Sequence, residues 1–144
     1  MTQNIYRRIM REVDWEADND DFRAKAKELG TQAFGALTDK KRSQITGLES
    51  IANGTQKVSD VFNYIKLRTA RQSEWRSHNL GRDLLEYLET TLPQKRDNVV
   101  NAVAKHNPLD KYQQQEVYIL LIRAFVAQMA AQYEYACLQA GGTS

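Results

Sequence analysis

Apolar residues recur at helical spacing along almost the whole chain. Ile5, Ile9 and Val13 mark a first helix, and the acidic stretch over residues 14–21 reads as a loop. Asn19 or Asp20 suits the N-cap of the next helix, whose early carboxylates complement the helix dipole. The spacing predicts that helix from about Asp21 to Ala36, with Phe22, Ala26, Leu29, Ala33 and Phe34 inward. Thr38 is placed to cap another from about Asp39 to Ala52, buried through Ile45, Leu48, Ile51 and Ala52, with Asn53-Gly54 as a stop signal. Thr55 then caps a helix that buries Val58, Val61, Phe62 and Ile65 and breaks at Ser77-His78-Asn79.

Leu80, Leu84, Leu85, Leu88 and Leu92 form a further apolar stripe. Pro93 suits the first turn of a short helix carrying Val99, Val100, Val103 and Ala104, and Asn107-Pro108 ends it. From about Asp110 to Gln139 the pattern changes, because between Tyr112 and Leu138 the only charges are Glu116, Arg123 and Glu134. A helix apolar on nearly every side is one that others pack around. The pattern therefore predicts an all-α fold: a compact bundle of five to seven helices around a long apolar C-terminal helix. Residues 1–140 form one helical domain and 141–144 a flexible tail.

Composition narrows the class. The 144 residues suffice for one core, and two prolines and seven glycines are too few for a loop-rich β-sandwich. No apolar run approaches the roughly 20 residues needed to span a membrane. Met-Thr-Gln-Asn-Ile-Tyr-Arg-Arg lacks a hydrophobic signal core, and the single Cys137 cannot form an internal disulfide. These features predict a cytoplasmic protein without a membrane partner.

Candidate chemistry is sparse. The two histidines, His78 and His106, lie in no His-Glu-x-x-His pattern, and no paired cysteines are spaced for zinc. Phosphate-binding glycine loops are absent, and Asp18, Asp20 and Asp21 lack the glycine and glutamate of a calcium loop. Cys137, on the apolar last helix, reads as a small buried hydrophobe. The expectation is a non-catalytic protein with no cofactor and no metal.

Charge is where the sequence is informative. The net charge is +2, but residues 38–82 hold nine Lys/Arg and four Asp/Glu, an excess of +5, against −1 for residues 1–37 and −2 for residues 83–144. That asymmetry points to a polyanionic partner on one region. On a helical wheel with Val58 at zero, Val61, Phe62 and Ile65 fall within roughly 60°, the buried arc. Lys57, Tyr64, Arg68, Arg71 and Trp75 fall between about 220° and 280°, forming one lengthwise stripe, with Lys66 on the other flank. Cations can pair with phosphates while aromatics stack on exposed bases. A structural alternative stands beside this: Tyr64 and Trp75 pack against a neighbouring helix and arginine stems cover the seam. Lys40, Lys41 and Arg42 open the preceding helix, and Arg76 and Arg82 flank the break after the stripe.

Leu37-Thr38, then Arg42-Ser43-Gln44-Ile45-Thr46-Gly47-Leu48-Glu49, then Val58-Ser59-Asp60-Val61-Phe62-Asn63-Tyr64-Ile65-Lys66 resembles the small helical subunit of type III CRISPR effector complexes. The similarity covers roughly residues 35 to 90, and Thr46 stands where the family often has an arginine. The resemblance implies a non-catalytic all-α protein in several copies. It would line a ribonucleoprotein beside the guide RNA and target RNA, packed against other effector-complex subunits and further copies of itself. By matching position it makes Lys66, Arg68 and Arg71 the leading RNA contacts, with Arg42, Lys57 and Arg76 next. The competing function is a protein-interaction adaptor without nucleic-acid contact, which Leu67 supports from its place opposite the buried arc.

Overall fold

Residues 2–141 are described by a computed structural model, with side chains from residue 4 onward. The fold is all-α, and no strand occurs among the described residues. Its helices are α1 (Thr2–Ala17), α2 (Asp20–Leu37), α3 (Arg42–Gly54), α4 (Val58–Arg71), the four-residue α5 (Ser73–Arg76), α6 (Leu80–Glu86), α7 (Leu92–Ala104) and α8 (Lys111–Gly141). α8 packs against α1, α2, α3, α4 and α7. It buries Val117, Tyr118, Ile119, Leu121, Ile122, Phe125 and Val126, a run too dense to face one neighbour only. One buried core runs from Ile9 on α1 to Cys137 on α8.

Several boundaries differ from the sequence expectation. The acidic stretch after Val13 leaves the helix only at Asp18 and Asn19, because α1 continues to Ala17 with Glu16 buried and Trp15 69% exposed on its outer side. Asn19 holds the N-cap position of α2, as expected, but its side chain makes no cap bond, because Glu16 accepts from Asn19 Nδ2 and from Asn98 Nδ2, both at 3.2 Å. Thr38 terminates α2 instead of starting α3. It sits at φ 52°, ψ −161°, with its N–H donating to Phe34 O at 2.8 Å. Residues 38–41 are a turn, and α3 begins at Arg42. The tail expected over 141–144 starts inside α8, since Gly141 is helical, and 142–144 lie outside the described residues.

Pro93 lies in the first turn of α7, as the sequence predicts, but α7 follows α6 with no loop between them. α6 and α7 are joined by a π-helical turn, Tyr87–Thr91, where Leu92 N–H donates to Tyr87 O. A proline inside a rod removes one N–H and crowds the carbonyl four residues earlier, and the wider turn accommodates both effects. Tyr118 Oη from α8 donates to Leu88 O in this turn at 2.5 Å. Close helix contacts depend on two glycines. A Cβ on Gly30 would lie 2.6 Å from Met129 O, and one on Gly81 would overlap Thr69 Oγ1.

Candidate nucleic-acid interface

α4 carries the basic face, and local chemistry fixes its position. Thr55 Oγ1 accepts from Lys57 N at 2.9 Å and donates to Asp60 Oδ2 at 2.6 Å, which shapes the turn before the helix. Arg123 on α8 donates to Ala52 O and Thr55 O, both at 2.9 Å, tying that turn to the core. Val58, Val61 and Ile65 are buried, and Phe62 meets Tyr118 edge to face at 6.1 Å.

The stripe drawn across Lys57–Trp75 does not survive as one line. α4 stops at Arg71, and Gln72 is extended at φ −128°, ψ 122°. One extended residue breaks the helical register, and Trp75 on α5 turns inward to complete burial. Its Nε1 donates to Gln44 Oε1 at 2.5 Å. Gln44 Nε2 donates in turn to Gln72 Oε1 at 2.5 Å, and Gln44 O accepts from Tyr64 Oη at 2.7 Å. Tyr64 and Trp75 meet edge to face at 6.4 Å. Trp75 is therefore corrected from a stacking candidate to a core residue, and Tyr64 to a half-buried one with its hydroxyl committed. Gly47 makes room for this, because a Cβ there would lie 2.5 Å from Tyr64 Oη.

The cations divide accordingly. Arg68 lies 5.0 Å above the Tyr64 ring, and Tyr64, Leu67, Arg68 and Arg71 line one shallow cavity of about 140 Å³. Lys66 is exposed but lies outside that group, as its opposite wheel position requires. Lys57 is exposed ahead of α4 in extended backbone, off the helical register. Arg76 Nη1 donates to Thr69 O at 2.9 Å and Ala70 O at 3.2 Å, so its guanidinium caps the C-terminus of α4. Arg42 pairs with Glu134 at 3.3 Å, and its pKa is raised by a hydrogen bond with Cys137 and by the charge of Glu134. Lys41 pairs with Glu74 at 3.8 Å.

The residue that sequence reasoning missed is Gln44. A glutamine on a helix reads as surface, although Gln44 stands one turn before Leu48 and two before Ile51, both on the inward face. Two guanidinium groups, Arg68 and Arg71, remain on one face with no ion pair among the described residues. Such groups can grip phosphate oxygens, and the aromatic ring in the same cavity, Tyr64, is half-buried with the Arg68 guanidinium over it. Among the described residues no three His, Cys, Asp or Glu side chains gather to hold a metal ion, and no helix is long and apolar enough to cross a membrane. No protein-family model, curated protein or solved structure matches this chain.

Proposed function

We propose that this chain is a non-catalytic helical subunit that holds a nucleic-acid backbone against the outer face of α4. The observation that supports this reading is the pair Arg68 and Arg71, which share one cavity and have no ion-pair partner among the described residues. With Trp75 in the core and the Arg68 guanidinium over the half-buried Tyr64 ring, the contact is to phosphates and not by base stacking. The resemblance over residues 35 to 90 supplies the setting, a small subunit of a type III CRISPR effector beside guide and target RNA. In that setting base pairing carries the sequence information and the protein needs only a basic face.

The test is fluorescence anisotropy of labelled single-stranded RNA against the double variant Arg68→Ala, Arg71→Ala over a salt series. Losing two phosphate contacts lowers affinity and reduces the slope of log K against log salt by about 1.4. Identical affinity and slope in the two proteins would sink the reading. An adaptor function is the second reading, and Leu67 favours it, being 48% exposed within the same face. A partner that stays bound through nuclease and high salt, and is released by Leu67→Ser, would establish that alternative.

A further inference from the structure

The C-terminal half of α8 carries an uncovered face that shares no residue with α4. Ala127, Ala131, Tyr135 and Leu138 are all exposed, at successive intervals of four, four and three residues. These intervals place them in one line along the helix, the spacing by which helices pack on one another. Tyr135 and Leu138 are large apolar groups left in water. A contiguous exposed apolar line marks a contact surface more often than scattered single residues do.

The surface beside this line is shaped and charged. α2 and α8 enclose an open groove of about 540 Å³, with Ala24 and Ala131 among its lining and Tyr135 on its α8 side. Arg23 and Lys27 stand one helical turn apart on its α2 side. Neither has an ion-pair partner among the described residues, whereas Lys25 of the same helix pairs with Glu28 at 3.5 Å. Asp20 is the one carboxylate in the lining. The amide donors of Gln128 and Gln132 are already used, on Ala17 O at 2.8 Å and Thr31 Oγ1 at 3.2 Å.

We propose that this groove and the adjoining α8 line dock an amphipathic helix of another protein, apolar toward α8 and bearing Asp or Glu toward α2. Alanines in the lining let a helix axis approach to about 8 Å, the short end of normal helix packing. Two cations one turn apart match carboxylates one turn apart on the incoming helix. A nucleic-acid strand would satisfy Arg23 and Lys27 but gain nothing from Ala127, Ala131 and Leu138, which offer no hydrogen-bond donor. The proposal does not rest on the nucleic-acid reading of α4.

The experiment selects a displayed library of helical peptides of about 20 residues against the full chain. The counter-targets are Ala131→Arg and the double variant Arg23→Glu, Lys27→Glu, with circular dichroism confirming that each stays folded. The expected winners carry an apolar stripe flanked by Asp or Glu, and lose at least about tenfold in affinity, some 1.4 kcal/mol, on each counter-target. Failure to enrich acidic-flanked helices, or undiminished binding to Ala131→Arg, overturns the proposal. Sedimentation velocity showing a dimer that Ala131→Arg dissolves also overturns it, by giving the face to a second copy. Displacement of the peptides by single-stranded RNA would overturn it in favour of a polyanion.

Discussion

Gln44 bonds three partners, Trp75, Gln72 and Tyr64, from a buried position on α3. A buried donor left without its acceptor costs about 1–3 kcal/mol. Gln44→Leu strands the Trp75 indole N–H, so urea unfolding should show a loss of about 2 kcal/mol. The pair Lys95 and Asp21 gives a second prediction at this scale. Lys95 Nζ meets Asp21 Oδ2 at 2.8 Å, with the lysine side chain 9% exposed and the aspartate 72%. The hydrogen bond from Lys95 holds the Asp21 carboxyl below the usual carboxylate range. A carboxyl depressed in the folded state stabilises above its unfolded pKa of about 3.9 and loses that contribution as pH falls through the folded value. Asp21→Asn leaves a buried ammonium unpaired and should cost about 1–2 kcal/mol at neutral pH, less than for a wholly buried pair because Asp21 is solvated. Lys95→Met removes the buried charge itself and should cost less than Asp21→Asn. Denaturation from pH 7 to pH 2 should show the difference between wild type and Asp21→Asn closing below about pH 4. None of these pairings was legible in the sequence, because Asp21 and Lys95 are 74 positions apart and a helical wheel relates only residues of one helix.

The helices themselves were largely legible, since a period of 3.6 identifies an amphipathic helix wherever one face is buried. Val58, Val61 and Ile65 were placed inward by spacing and are inward. What spacing could not show was the break at Gln72, which has neither the glycine nor the proline that usually signals one. Carrying the wheel across it put Trp75 outside. The size of the indole was the available counter-signal, because tryptophan is highly buried on average. α4 and α6 meet where Thr69 crosses Gly81, and the geometry makes a double-mutant prediction. Gly81→Ala alone should destabilise by about 1–3 kcal/mol through overpacking. Adding Thr69→Ala should recover part of that loss, with the coupling read from thermal or urea unfolding of the four proteins. Fully additive losses would mean that the two helices do not press together at this crossing.

Over the whole molecule, the all-α class followed from the periodicity and from the scarcity of proline and glycine. The basic excess of the middle third was legible as well, but its availability was not. Glu134 lies far along the chain and takes Arg42, Glu74 takes Lys41, and Arg76 turns back on α4. Folding thus leaves a smaller free basic face than the charge count implies. A global prediction comes from three phenols in the core. Burial pushes Tyr118 up to about 12 and raises Tyr87 and Tyr133 as well, the last also through its hydrogen bond with Cys137. A phenol whose folded pKa is raised stabilises fully below its unfolded pKa of about 10 and loses that contribution as pH rises toward the folded value. Stability should fall from about pH 10 upward, by as much as ~1.4 kcal/mol per pH unit for each such group. Absorbance at an ultraviolet wavelength specific to phenolate, followed beside circular dichroism, should show these three ionising together with unfolding and not before it.

The chain's two indoles occupy opposite surroundings, Trp15 out in water and Trp75 wholly enclosed. This makes the molecule its own optical instrument. With Trp15 replaced by phenylalanine, all remaining indole emission arises beside Gln44. A red shift or a gain in acrylamide quenching then reports, without any attached dye, the moment when α3, α4 and α5 come apart.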